Sequence, residues 1–242
     1  MNNFKLTIQY DGTNYSGWQI QKNLPSVQGT IADTIKIILK EEVNLIGSGR
    51  TDAGVHAFGQ VANFKTGSSP DIRKFTHSLN SILPKDIAIV SLEKAVENFH
   101  SRFDAKRRSY FYVIGKKKSP FYYPYSYNYH GKIDQNKLNY LSGIFKGEHD
   151  FTSFSRKNSD AKNKVCTIYD TRWKETRGFV VFYIEADRFL HGMVRTITGT
   201  LLKAVKSGFD EKYILDVMES KDREAAGEAV PPQGLFLFKV RY

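Results

Sequence analysis

The sequence predicts a mixed α+β fold of two tandem βαββαβ units, the split βαβ (ferredoxin-like) arrangement in which two helices cover one face of an antiparallel sheet. Three observations predict it. Apolar and polar residues alternate at Phe4, Leu6, Ile8 and Tyr10 and again over 235–242, which is the period of a half-buried strand. Apolar residues recur every three or four positions at Val27, Ile31, Ile35 and Ile38, and again at Ile72, Phe75, Leu79 and Ile82, placing each set on one helix face. The order strand, helix, strand, strand, helix, strand fits the first half, and the second half repeats it in pattern though not in letters.

In the first half, the opening strand ends at Asp11-Gly12, a turn dipeptide. Ser26 suits an N-cap, because its hydroxyl accepts an N–H of the first helical turn. The helix it opens is expected to carry Val27, Ile31, Ile35, Ile38 and Leu39 on one face and to end near Asn44. A short apolar run at 43–46, a loop at 47–54 and a strand near 60–65 follow. A helix with Ile72, Phe75, Leu79 and Ile82 inward and a strand at 87–92 complete the unit.

The second half begins with a strand at 109–114, then a helix bearing Leu138, Leu141, Ile144 and Phe145. Strands at 167–175 and 179–186 are joined at Arg177-Gly178. Helical residues are expected from about 189 to 206 and from 210 to 218, before the final strand at 235–242. We divide the chain into an N-terminal unit, 1–105, carrying the 47–54 loop, and a C-terminal unit, 106–242. No Pro/Gly-rich linker marks the boundary, so continuous sheets are expected rather than flexibly joined bodies.

Composition narrows the function. The 242 residues contain no stretch of about 20 apolar residues such as a membrane span needs, so a soluble protein is expected. The N-terminus, MNNFKLTIQYDG, opens on the alternating pattern without a targeting segment, and the simplest expectation is a cytoplasmic protein. The single cysteine, Cys166, excludes an intrachain disulfide and a multi-cysteine zinc site, and the six histidines have no metal-ligand spacing. No metal is therefore expected.

Charge points to a partner. With 36 Lys and Arg against 25 Asp and Glu, the net charge is +11, which attracts polyanions. Positive residues cluster at Arg102, Lys106, Arg107 and Arg108, at 116–118, and at Arg156, Lys157, Lys162 and Lys164. A basic surface can simply be a solvated one. Here aromatic residues interleave with it in RRSYFYV and over 120–130, and single-stranded RNA is held by stacking as well as by phosphate contacts.

The stretch GSGRTDAGVHA, 47–57, presents Arg50, Thr51, Asp52 and His56 on a glycine-bent loop between apolar segments. Loops on a rigid scaffold commonly carry function. The same letters also fit an ordinary turn, since Asp and Gly dominate turns for local reasons. Spacing alone leaves both readings open.

The stretch is similar to the GRTDAGVHA motif of the tRNA pseudouridine synthase A family. The resemblance extends along nearly the whole chain: YDGTNYSGWQIQ from Tyr10, SVQ at Ser26, FHSRFDAKRRSYFY from Phe99, DFTSF at Asp150, FLHGMVR from Phe189, and PPQGLFLFKVRY at the C-terminus. It implies a fold of two related units whose antiparallel sheets form one central sheet flanked by helices. It also implies a homodimer that isomerises uridine to pseudouridine in the anticodon stem-loop of tRNA, without a cofactor. By motif position, Asp52 corresponds to the essential aspartate and Tyr110 to the tyrosine that contacts the target base. Arg195 corresponds to the arginine that pairs with the aspartate, and Arg50 to the motif arginine used in RNA binding.

An ionised, positioned carboxylate suits glycosyl transfer, and a neighbouring guanidinium keeps it ionised. Tyr110 can stack on a uracil taken out of its stack, and read without the motif it is a buried strand aromatic. His56 and His191 receive no catalytic role. Phe111 stands where a basic residue is common in the family, and His191-Gly192 where a more basic or polar pair is often found, so the tRNA contacts are expected to differ in detail. The competing class is a non-catalytic RNA-binding protein, which explains charge and aromatics equally well but leaves Asp52 without a purpose. A metal-dependent nuclease lacks a carboxylate cluster.

Overall fold

A computed structural model describes residues 1–157 and 163–242. Lys162, one of the positive residues noted above, lies outside the described residues. Contacts divide the chain into two compact units, Met1–Lys106 with Phe236–Tyr242, and Arg107–Leu235. The class is α+β, as expected from the patterning.

In the first unit, strand β1 (Asn2–Tyr10) pairs antiparallel with both β3 (His56–Thr66) and β4 (Ile87–Ala95), so that Leu6 stands opposite Ala62 on one side and Leu92 on the other. The short strand β2 (Ile46–Gly47) pairs antiparallel with β3. Helix α1 (Val27–Leu39) is capped by Ser26, whose Oγ accepts the Gly29 N–H at 3.2 Å. Its buried residues include Val27, Ile31 and Ile35. The helix stops at Lys40, which is left-handed (φ 58), rather than near Asn44. Of the apolar run at 43–46, only Ile46 enters a strand.

Helix α2 (Ile72–Ile82) is capped by Asp71, whose carboxylate accepts the Lys74 N–H at 2.8 Å. Phe75 and Leu79 are buried as expected. Ile72 and Ile82 are exposed instead, because they are the first and last residues of the helix, where its packing face ends.

In the second unit, β5 (Arg107–Gly115) and β8 (Val165–Glu175) flank β9 (Phe179–Ala186) in antiparallel pairing. Two short strands extend the sheet: β6 (Tyr127–Asn128) lies parallel to β5, and β7 (Gly147–Asp150) antiparallel to β8. Helix α3 (Gln135–Gly143) is clamped to β8 by Asn139, which accepts the Trp173 N–H at 2.8 Å and donates to the Trp173 carbonyl at 3.0 Å. Helix α4 (Met193–Ser207) carries ten buried residues and starts four positions later than the apolar pattern indicates. Its N-cap is Gly192 at φ 75, which bends 189–192 out of the helix. Helix α5 (Glu211–Ser220) follows, capped by Asp210.

The last strand, β10 (Leu235–Arg241), runs parallel to β3, with Phe236 opposite His56 and Leu237 opposite Ala57. Among the described residues, no helix is long and apolar enough to cross a membrane.

Candidate active site

The loop between β2 and β3 is held within the first unit by the segment after β1 and by strand β3, and the start of α1 braces the former. At its centre, the Asp52 carbonyl accepts the Val55 N–H at 3.2 Å, closing a four-residue turn with Gly54 (φ 74) at the third position. That is the type II pattern, which demands positive φ there. Asp52 itself is half-buried, and Arg50, before the turn, is exposed.

The segment after β1 forms the first side. Gly17 adopts φ 102, and a Cβ on it would stand 2.5 Å from the Thr51 carbonyl oxygen and 3.2 Å from the Asp52 carbonyl carbon. The backbone of 51–53 therefore rests directly on a residue without a side chain. The Trp18 N–H donates to the Thr51 carbonyl at 3.1 Å, and Gly54 N–H to the Tyr15 carbonyl at 3.4 Å. Below them, the Tyr10 and Thr51 hydroxyls share a buried hydrogen bond of 2.8 Å.

The start of α1 braces the segment after β1. Val27 N–H donates to the Gly17 carbonyl and Gln28 N–H to the Trp18 carbonyl. The buried Gln28 amide accepts from Ile20 N–H at 2.9 Å and donates to the Leu45 carbonyl at 2.7 Å, tying the helix to the chain just before the loop. Strand β3 is the second side. Ser48 donates its N–H to the Val61 carbonyl and its hydroxyl to Gln60 Oε1, both at 2.7 Å, and Gln60 Nε2 donates to the Gly49 carbonyl at 3.0 Å. Trp18, 1 % exposed, packs so closely on Gly47 that a Cβ there would meet its indole nitrogen at 2.4 Å.

His56 is buried and stacked on Phe236, with ring centroids 4.7 Å apart. Its Nδ1 accepts the Gly12 N–H at 3.1 Å and lies equally near Asp11 Oδ1. The ring thus anchors the β1 turn to the end of the loop.

Tyr110 and Arg195 belong to the second unit. Tyr110 lies on β5 opposite Ile184, is buried, and meets Phe189 edge-to-face at 5.1 Å. Arg195 occupies the first turn of α4 and is doubly tied to Val230: its Nε donates to the Val230 carbonyl at 2.7 Å, and its own carbonyl accepts the Val230 N–H at 3.2 Å. The same stretch is fastened further along α4, where Gly227 N–H donates to Thr200 Oγ1 at 2.9 Å.

Tyr112 was not singled out by its sequence context, although it lies two residues from Tyr110 and hence on the same face of β5. Its hydroxyl donates to the Pro231 carbonyl at 2.7 Å. Burial pushes its phenol far above the usual range, partly opposed by the Arg195 charge, so it stays a neutral donor.

Several of the clustered cations are engaged within the second unit. Arg107 pairs with Glu185 at 3.1 Å and covers the Tyr169 ring at 4.1 Å, Lys116 pairs with Glu175, and Lys157 pairs with Glu224 at 2.8 Å. His191 is exposed and contributes its carbonyl to the Arg156 N–H. Among the described residues, no group of three or more His, Cys, Asp or Glu is arranged to hold a metal ion.

Known proteins resemble the chain along its length. The family model described as tRNA pseudouridine synthase matches residues 6–104 and 143–242. Asp52, Arg50 and Arg195 fall inside these stretches, and Tyr110 between them. The chain is 40% identical over 244 residues to the tRNA pseudouridine synthase A of Thermoanaerobacter sp. (strain X514), covering 100% of both chains. It is 43% identical over 244 residues to the tRNA pseudouridine synthase A 2 of Clostridium perfringens, again covering 100% of both. It is 44% identical over 248 residues to the tRNA pseudouridine synthase A 1 of Protochlamydia amoebophila, covering 100% of this chain and 97% of that one. The resemblance is thus not confined to the loop around Asp52 but takes in every element described above, and the chain belongs to the tRNA pseudouridine synthase family, whose members are isomerases.

Proposed function

We propose that this protein converts uridine to pseudouridine in the anticodon stem-loop of tRNA, with Asp52 as the essential group and without a cofactor. The observation that carries the reading is the half-buried aspartate on a loop held by the segment after β1 and by strand β3, inside a chain of net charge +11. A positive surface draws the phosphate backbone in, and a rigid turn holds one carboxylate against what it brings.

The reaction breaks the bond from ribose C1′ to uracil N1, turns the base, and joins C1′ to C5. N1 gains a proton and C5 loses one, so substrate and product are isomers and nothing is consumed. Asp52 supplies the anion that reacts with the sugar or the base. Tyr110 contacts the uracil, and its buried, edge-packed ring supports that role by being fixed in direction. Arg195 is the charge partner of Asp52, and its bond to the Val230 carbonyl supports this by fixing the guanidinium. Arg50, exposed beside the turn, contacts RNA. The working form is a homodimer, as the resemblance implies, and it acts in the cytoplasm.

Site-resolved mapping of pseudouridine in unmodified tRNA tests this, with wild type and Asp52→Asn in parallel and no added cofactor or metal. Product in the anticodon arm from wild type alone is the expected result. Binding without product from either protein overturns the reading in favour of a non-catalytic RNA-binding module. A solely monomeric species in light scattering rejects the dimer.

A further inference from the structure

The family model leaves unmatched the stretch between residues 104 and 143, and that stretch carries a run of exposed aromatic residues. Residues 116–132, KKKSPFYYPYSYNYHGK, hold four lysines, six aromatic residues other than histidine, and no Asp or Glu. Phe121 is 83 % exposed and Tyr123 65 %, with Tyr122 and Tyr125 also exposed. Large side chains left in water so close together are not what a merely solubilising surface presents.

The aromatics stand on ordered backbone. Tyr123–Tyr125 form a 3-10 turn, Tyr123 N–H donates to the Ser119 carbonyl at 3.0 Å, and Ser126 Oγ donates to the Tyr122 carbonyl at 2.8 Å. Tyr122 is braced edge-on against Phe179 at 5.0 Å. Among the described residues, no carboxylate pairs with Lys117, Lys118 or Lys132. Lys116 is already paired with Glu175, so the anion contacts fall to its two neighbours.

We infer that the segment 116–132 is a second RNA-contact surface, on which unpaired bases of the tRNA stack against Phe121 and Tyr123 while Lys117 and Lys118 hold the adjoining phosphates. Base–aromatic stacking is tolerant of sequence, and the lysines add a salt-dependent component. The lack of any acidic side chain in the segment favours a polyanion over a second protein surface.

This inference rests on tRNA being the substrate, and binding and product formation by wild type report on that separately. Filter binding of unmodified tRNA at several salt concentrations compares wild type with F121A/Y123A and K117A/K118A, with light scattering on each. Loss of affinity by roughly tenfold or more is expected for the aromatic pair at unchanged salt dependence. For the lysine pair, the slope of log affinity against log salt should fall by between about one and two. Ultraviolet cross-linking of bound tRNA should map to the peptide containing Tyr123. Wild-type affinity in both variants, with wild type itself binding and active, overturns the surface alone. A changed mass with unchanged affinity assigns the face to contact between copies of the chain.

Discussion

Substituting Gly17 by alanine separates the placing of Asp52 from the chemistry proposed for it. The new Cβ would stand 2.5 Å from the Thr51 carbonyl oxygen, where 3.4–4 Å is ordinary contact, so the backbone on one side must move by about 1 Å. The φ of 102 adds strain for any residue with a side chain. Such strain costs of the order of 1–3 kcal/mol, which for a chain of this size lowers Tm by roughly 4–8 °C at ~2 kcal/mol. The effect on turnover should be larger than on folding, because a shift of about 1 Å at a reacting group can cost about a hundredfold in rate.

Single-turnover pseudouridine formation on saturating tRNA, read beside thermal unfolding, measures both. Gly67→Ala is the control, since a Cβ there meets nothing within 4 Å and φ is not positive. If Gly17→Ala unfolds at the wild-type temperature and retains the wild-type rate, the close approach does not fix the loop and the reasoning fails.

Tyr10→Phe removes the partner of the buried Thr51 hydroxyl, which should cost about 1–3 kcal/mol and slow turnover; an unchanged Tm and rate would show the bond to be dispensable. Burial pushes the Cys166 thiol from 9.0 up to about 11, partly offset by Arg188. The folded form therefore holds this proton more tightly than the unfolded chain, and the associated stability is intact below about pH 9 and declines as pH rises towards 11. Cys166→Ala should flatten that part of the denaturation profile, and native protein at pH 8 should resist iodoacetamide until unfolded; rapid native alkylation contradicts the burial.

Much of the fold is legible in single stretches because its signals are local. The alternation of Phe4, Leu6 and Ile8 and the capping serine before Val27 specify β1 and α1 without reference to anything distant. Helix ends are less legible, since they depend on one backbone conformation. Lys40 turns left-handed and ends α1 early, and Gly192 at φ 75 delays α4 to Met193. The strands 127–128 and 147–150 are too short to show a period. The parallel pairing of β10 with β3 is a relation between distant segments that no local pattern encodes.

The candidate site divides in the same way. Glycines at 47, 49 and 54 mark a loop, but Asp52 in that loop looks like any turn aspartate when read by itself. What makes it unusual is contributed from elsewhere: Gly17 supplies room, Trp18 and Tyr15 supply hydrogen bonds, Tyr10 holds Thr51, and Gln28 holds Leu45. Each of those residues is ordinary in its own neighbourhood too. The motif strings from Tyr10, at Ser26 and from Gly47 are therefore not three independent signals that happen to occur in one chain. Their backbone atoms bond to one another, so a change in one string shifts the others. The turn that bears Asp52 acquires a defined position because these segments bond to one another. That requirement explains why strings of residues, more than isolated ones, carry the resemblance.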